Sequence, residues 1–178
     1  MEDQVDDFED LFTPMPGPSS VDWHGSDTVF FVFFGINDIR EEIGRLDITD
    51  TCDQLVKAII RNYRRLYQLG ARTFLVMNLP PVHLYGKYNL PSGIGHDIQG
   101  RIEESVNTFN ALFEPAVNEL RDELSQPGLD GVNLMLFDLH GYMSLLLDYP
   151  EIFGLTECTR FEMQISGNKV NLGSMGFW

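Results

Sequence analysis

A small polar cluster follows an unbroken apolar run in the first quarter of this 178-residue chain. The run "TVFFVFF" occupies residues 28–34 and stops at Gly35, and Asn37 and Asp38 come directly after it. An asparagine amide is an uncharged donor that suits the negative charge developing on a carbonyl oxygen during acyl transfer. Asp38 could orient the loop by accepting backbone N–H bonds. The alternative is turn chemistry alone, because Gly, Asn and Asp are common turn residues.

Other side chains with catalytic chemistry are scattered along the chain without a recognisable constellation. Ser26, in "HGSD", precedes the apolar run. A nucleophile of the strand–turn type follows a strand, so we interpret Ser26 as an ordinary loop serine. We interpret Asp138 and His140, in "FDLHGY", as structural. His83 and His96 have no acidic partner at a recognisable spacing, and we expect both at the surface.

The elements that must position these residues alternate between strands and helices. Buried strands are predicted at 28–34, 73–79 and 132–139, because their apolar runs do not alternate and so indicate cover on both faces. Helices are predicted at 4–12, 50–69, 98–124 and 142–149 from apolar residues that recur at helical spacing. We expect Gly70 to end the second helix and Pro115 to kink or split the third. This order predicts crossover units on a parallel sheet, an open α/β fold.

The remaining segments are predicted to be connections. "TPMPGPSS" (residues 13–20) is a Pro/Gly/Ser connector, and residues 80–95 form a long loop. The tail at 156–178 shows no clear period. Cys52 and Cys158 are either two thiols or one disulfide, and we favour unpaired thiols.

Composition excludes several classes of function. The chain is 43% hydrophobic, which is typical of a globular protein. Its net charge of −15 argues against nucleic acid or an anionic membrane surface as a partner. The acidic start "MEDQVDDFEDLF" does not have the pattern of a secretory signal, and no apolar stretch is long enough to span a bilayer.

The segment "FFVFFGINDI" resembles the third block, G-x-N-D, of the GDSL (SGNH) esterase family. Further segments follow in the order and spacing of fungal GDSL acetylesterases, which are similar to carbohydrate esterase family 16: "DQVDDFEDLF", "LGARTFLVMNLPPV", "FNALFEPAVNEL" and "LMLFDLHGYMSLLLDYPEIFGL". The resemblance covers residues 4–158. It implies a three-layer flavodoxin-like open parallel sheet, and it makes Asn37 the donor to the oxyanion hole. We therefore expect a partial SGNH hydrolase domain at 1–158 and a tail at 159–178 that does not resemble the family.

The resemblance also implies residues that this chain lacks. In the family, a G-D-S block with the nucleophilic serine and a second block with an oxyanion glycine precede the part that resembles "DQVDDFEDLF". A D-x-x-H block lies near the C-terminus, and the spacing from Asp138 to His140 is one residue short of it. In similar secreted esterases a cysteine near Cys158 pairs with a later one, and this chain has no later cysteine. We expect an incomplete sheet, because the implied first strand beside 28–34 is missing.

An incomplete sheet has a consequence for association. Strand 28–34 would expose a bare apolar edge, which is a hazard for aggregation. We therefore expect poor solubility or non-specific self-association of the chain through this edge.

Three functions are compatible with the sequence. The first, by resemblance, is an ester hydrolase acting on acetylated carbohydrates or small esters, inactive as written. The second is a non-catalytic fragment or pseudo-enzyme, for example a carbohydrate-binding remnant. The third is an unrelated α/β module that binds an anion at the Asn37 loop, although the chain has neither G-x-G-x-x-G nor G-K-[ST]. We expect no cofactor and no metal, and the resemblance suggests secretion.

Overall fold

The computed structural model describes residues 1–12, 23–41, 47–85, 94–155, 162–165 and 168–171. The described residues form five α-helices: α1 (Glu2–Phe12), α2 (Ile36–Glu41), α3 (Ile48–Gln68), α4 (Ile94–Leu124) and α5 (Leu139–Asp148). The strands are β1 (Val29–Val32), β2 (Thr73–Met77), β3 (Asn133–Phe137), β4 (Glu162–Ile165) and β5 (Asn168–Asn171). Two 3₁₀ turns lie at Val82–Leu84 and Pro150–Phe153. The predicted connector at 13–20 and Cys158 lie outside the described residues.

Strands β1, β2 and β3 form one parallel sheet in that spatial order. Phe31 pairs with Leu75, and Leu75 pairs in turn with Met135. Helix α3 connects β1 to β2 and α4 connects β2 to β3, so the prediction of an open α/β fold is confirmed. Among the described strands, β1 pairs only with β2, which makes it an edge strand. Strands β4 and β5 form a separate antiparallel pair that the sequence did not predict.

One face of this sheet is buried against helices. Val32, Phe74, Val76 and Leu134 point to this covered face, and none of them is more than 6% exposed. Phe74 joins the sheet to α3, since its ring centroid lies 5.8 Å from that of Phe30 on β1 and 6.1 Å from that of Tyr63 on α3. The apolar stripes of α3 and α4 complete the same core with the following buried residues: Val56, Ile59, Ile60, Leu66, Ile102, Val106, Phe109, Phe113, Val117 and Leu120.

The opposite face of the sheet is open, so the prediction of strands covered on both faces is wrong. Val29 is 57% exposed and Phe31 60% exposed on β1. Met135 and Phe137 on β3 remain 40% and 38% exposed. Unbroken apolar runs require two layers of cover, and the described helices supply only one. Helix α5, which follows β3, has no buried residue.

The ends of the long helices follow from local sequence. Asp47 caps α3, because its side chain accepts the Asp50 N–H at 2.9 Å. Gly70 ends α3 as predicted, with a φ of 111° that suits glycine. Helix α4 is not split at Pro115, and it begins at Ile94 instead of Ile98.

Candidate active site

The carboxyl ends of β1, β2 and β3 lie at the same edge of the sheet, because the strands are parallel. The segment from Gly35 to Asp38 follows β1, Asn78 follows β2, and Asp138 follows β3. Ligands of open α/β sheets bind outside this edge. The structure therefore brings the predicted Asn37 segment and the "FDLHGY" segment to one end of the molecule.

Gly35 makes the turn from β1 into α2. Its φ is 110°, a left-handed value that an L side chain rarely adopts, and the residue is buried. A Cβ at this position would lie 3.2 Å from ring atoms of Phe109 on α4. The Ile39 N–H donates to the Gly35 carbonyl at 2.9 Å, which closes the first turn of α2. Glycine is therefore required here both by the backbone and by the close approach of α4.

Asn37 and Asp38 lie in the first turn of the short helix α2. Both side chains are exposed, and within the described part of the chain neither makes a hydrogen bond. The suggestion that Asp38 orients the loop by accepting backbone N–H bonds therefore finds no support in the geometry. The amide of Asn37 remains available to a ligand at the carboxyl end of β1.

Asp138 is the N-cap of α5. Its Oδ1 accepts the Gly141 N–H at 2.9 Å and the Asn78 side-chain N–H at 2.7 Å. The bond from the Gly141 backbone, followed by the bond from Asn78, lowers the pKa of the Asp138 carboxyl below its usual value. Asn78 also accepts the His140 backbone N–H at 2.8 Å through its Oδ1. These bonds tie the end of β2 to the start of α5, as the structural interpretation of Asp138 predicts.

His83 is buried, so the prediction of a surface position is wrong. It lies in the first 3₁₀ turn and is 8% exposed, and Pro80 and Pro81, which come before this turn, are buried as well. Burial lowers the pKa of His83, Glu103 opposes this, and His140 adds to it. Two buried ring nitrogens, Nδ1 of His83 and Nε2 of His140, have no hydrogen-bond partner among the described residues. The side chain of His96 lies outside those that the structure describes.

The loop that leaves β2 is fixed to α4 by a residue that sequence reasoning missed. The Leu79 N–H donates to Oδ1 of Asn110 at 2.8 Å, and Nδ2 of Asn110 donates to the Leu79 carbonyl at 2.8 Å. The Gln99 side chain also donates to the His83 carbonyl at 3.1 Å. A possible signal was the polar Asn110 directly beside Phe109 in the apolar stripe of α4.

Three serine and cysteine side chains within the described residues are misplaced or inert as nucleophiles. Ser26 lies in the turn before β1, at the amino end of the sheet and opposite to Asn37. Cys52 is 1% exposed, and burial raises its pKa to about 11. The Ser105 hydroxyl donates to the Arg101 carbonyl inside α4. None of these three side chains is placed to attack an ester bound beside Asn37.

The described residues contain no group of three or more His, Cys, Asp or Glu side chains that could hold a metal ion. None of their helices is both long enough and apolar enough to cross a membrane.

Comparison with known proteins identifies the family of the chain. Residues 2–155 match the sequence profile described as GDSL-like lipase/acylhydrolase. A GDSL esterase/lipase of Arabidopsis thaliana is 24% identical over 139 residues, covering 72% of this chain and 35% of that protein. A second GDSL esterase/lipase of Arabidopsis thaliana is 32% identical over 88 residues, covering 46% of this chain and 27% of that protein.

The chain thus spans about a third of the length of the curated relatives it matches. The matched region contains all three strands of the parallel sheet and the loops that follow them. The resemblance found in the G-x-N-D segment is confirmed at the level of the family. This chain belongs to the GDSL-like lipase/acylhydrolase family.

Proposed function

We propose that this chain carries the oxyanion-binding part of an ester hydrolase that acts on acetylated carbohydrates or similar small esters. The observation that supports the proposal most directly is the exposed Asn37 amide, which has no partner among the described residues at the carboxyl end of β1. Membership of a family of lipases and acylhydrolases supports ester hydrolysis as the reaction class. The choice of acetylated carbohydrates follows the resemblance to fungal acetylesterases.

The role of Asn37 follows from the chemistry of acyl transfer. When a nucleophile attacks an ester carbonyl, negative charge develops on the carbonyl oxygen, and a positioned N–H donor stabilises that charge. Loss of one such donor typically costs about 10²–10³ in kcat. The buried Gly35, with its φ of 110°, sets the direction in which α2 leaves the sheet and so the position of Asn37.

The proposal also holds that the chain is catalytically silent by itself. An oxyanion donor accelerates hydrolysis only when a nucleophile or an activated water forms the charged intermediate. Ser26 lies at the opposite end of β1, and the Cys52 thiol is buried. The family resemblance puts the nucleophilic serine in a G-D-S block and the histidine in a D-x-x-H block, and neither pattern occurs in these 178 residues.

Hydrolysis of p-nitrophenyl acetate tests the silence of the chain. The purified chain should release nitrophenol no faster than its Asn37→Ala variant, with or without a fluorophosphonate inhibitor. Turnover that the fluorophosphonate abolishes would show that the nucleophile is already present in these 178 residues.

Sequencing the transcript beyond both ends tests the lineage. A longer reading frame with G-D-S upstream and D-x-x-H downstream should give an active esterase, and Asn37→Ala in that product should lower kcat with little change in KM. An unchanged kcat would contradict the oxyanion role of Asn37.

A non-catalytic carbohydrate-binding role is the second candidate. Two observations favour this role: the Asn37 amide is exposed and available to a ligand, and Ser26 lies at the opposite end of β1 and so cannot act as its nucleophile. Calorimetric titration of the chain with acetylated xylo-oligosaccharides distinguishes the two, because this role requires micromolar binding without release of acetate.

A further inference from the structure

Two histidine rings have buried nitrogen atoms at the carboxyl edge of the sheet. His83 lies in the 3₁₀ turn after β2 and is 8% exposed, and His140 lies in the first turn of α5. Nδ1 of His83 and Nε2 of His140 are both buried, and neither has a hydrogen-bond partner among the described residues. The rings are close enough for a charge on His140 to act on His83. This histidine pair therefore places two titratable groups in one region with little access to water.

The backbone of each histidine is fixed to a neighbouring element. The Gln99 side chain on α4 donates to the His83 carbonyl at 3.1 Å. The His140 N–H donates to Oδ1 of Asn78 at 2.8 Å, and Asn78 is itself only 8% exposed. Neither bond involves a ring nitrogen, so each ring can change its protonation state without first breaking the bond that holds its backbone.

A neutral ring suits this region better than a charged one. A neutral imidazole has one N–H and one acceptor nitrogen, whereas an imidazolium has two N–H groups that both need an acceptor. A buried charge without such acceptors is costly. A second charge would cost more than the first, because two imidazolium rings repel each other.

The charged groups that face the histidine pair do not remove this cost. On α4, Oε1 of Glu103 lies 3.8 Å from Nε2 of His83, which is longer than a hydrogen bond. The Glu103 side chain is 53% exposed, so water weakens its attraction for a charged ring. On α5, Asp138 acts on His140, but its Oδ1 already accepts two hydrogen bonds. Burial therefore has the largest effect and lowers the pKa of His83, with Glu103 opposing it and His140 adding to it.

We infer that the histidine pair is an acid-sensitive switch for the 3₁₀ turn Val82–Leu84, which packs on α4. While both rings are neutral the turn stays closed against α4, and when His83 takes up a proton its ring moves into water and the turn opens. The stability of the closed form is complete above the ordinary histidine pKa of about 6.5, and it is lost as the pH falls through the lower pKa of the closed form. Opening leaves the packing of α3 on the sheet intact, and the switch does not depend on the oxyanion role of Asn37.

Hydrogen exchange of backbone amides tests the switch in the full chain. The protection factors of residues 82–85 are compared at about pH 7.5 and about pH 5.5, after correction for the intrinsic pH dependence of exchange. At about one unit below the ordinary histidine pKa, a proton taken up only by the open form favours opening about tenfold. Protection of residues 82–85 should therefore fall about three- to tenfold in acid, and that of β2 should change less than about twofold.

Two glutamine variants identify the responsible ring. The side chain of glutamine donates and accepts hydrogen bonds but does not titrate, so in His83→Gln the acid-induced fall in protection of residues 82–85 should shrink to less than about twofold. His24→Gln is the matched control, because His24 is exposed and lies near the amino end of β1. The control should retain the response of the unmodified chain.

A second pair of variants tests the switch without altering a buried side chain. Glu103→Gln removes the carboxylate that favours a charged His83 in the closed form. The pH at which the loss of protection levels off should therefore move to a lower value. Glu114→Gln makes the same change in net charge on an exposed residue further along α4 and should leave that pH unchanged.

Three results would overturn the inference. The first is equal protection of residues 82–85 at the two pH values in the unmodified chain. The second is an equal loss of protection in β2, which would show that acid unfolds the whole sheet. The third is an unchanged acid response in folded His83→Gln or, should that variant not fold by circular dichroism, an equal effect of Glu103→Gln and Glu114→Gln.

Discussion

The two faces of the three-stranded sheet arise from the same apolar runs, yet they have different surroundings. Phe30 packs on the covered face, with ring centroids 5.3 Å from Phe8 and 5.8 Å from Phe74. Its neighbour Phe31 points the other way and is 60% exposed. Nothing in the types of these two residues distinguishes them. The difference comes from the described helices, which cover only one side of the sheet. An apolar strand therefore indicates that both of its faces are suited to burial, but it does not show that both faces are buried.

The largest expected difference in stability is between substitutions of Phe74 and of Phe31. Phe74→Ala on the covered face should lower the free energy of unfolding by about 3–5 kcal/mol, because the ring is 1% exposed and leaves a cavity. Phe31→Ala on the open face should cost less than about 1 kcal/mol, since its ring is already hydrated. Urea unfolding followed by circular dichroism measures both. Similar losses in the two variants would mean that the open face is covered in solution.

The next largest effect on stability is expected at Gly35, in the turn that follows β1. Gly35→Ala should cost about 1–3 kcal/mol, because the φ of 110° strains an L residue and the new methyl group presses on Phe109. Gly100→Ala is the control, since that glycine is helical and has no atom within 4 Å of an added Cβ. The control should stabilise the chain by up to about 1 kcal/mol. Thermal unfolding measures the melting temperature of both variants. A shift in the same direction in both would contradict the requirement for glycine at position 35.

A smaller effect on stability is expected at Asp138, the N-cap of α5. Asp138→Ala removes an N-cap and should cost about 1 kcal/mol at neutral pH. The pKa of Asp138 is lowered in the folded state, so its stabilising contribution is complete above the ordinary carboxyl pKa. That contribution is lost as the pH falls through the lower folded pKa. The difference in the free energy of unfolding between the unmodified chain and the variant should therefore become smaller in acid. A difference that became larger below pH 4 would contradict a lowered pKa of Asp138 in the folded state.

The smallest effect on folding is expected at the exposed edge. Phe31→Lys should change the free energy of unfolding by no more than about 0.5 kcal/mol. Because β1 has only one partner among the described strands and Phe31 on its outer face is exposed, the unmodified chain is expected to self-associate without fixed stoichiometry at micromolar concentration. Light scattering should show less association for Phe31→Lys. A monodisperse, cooperatively melting unmodified chain would contradict the expectation of association.

Much of the fold could be predicted because its signals are local. The apolar run before Gly35, the stripe of α3 and the glycine after it are each contained in a short window of sequence. Parallel order followed from the alternation of strands and helices. The G-x-N-D segment was found in the same way, and its resemblance gave the family that the sequence profile confirms.

The features that were missed depend on residues far apart in the chain. Asn78 and Asp138 are separated by 60 positions, and Leu79 and Asn110 by 31. The burial of His83 depends on Pro80 and Pro81, which lie in the core, and on α4. The open face could not be predicted either, because the exposure of Phe31 depends on whether another segment covers it.

The double hydrogen bond between Leu79 and Asn110 has a consequence for the exchange of backbone amides with solvent. The Leu79 N–H is held by a side chain of α4 and the residue is 0% exposed, so its proton can exchange only when α4 separates from the end of β2. The amides of α5, where no residue is buried, can exchange by a local opening that leaves this contact intact. The exchange rate of the Leu79 amide therefore reports the opening of the core at the carboxyl edge of the sheet.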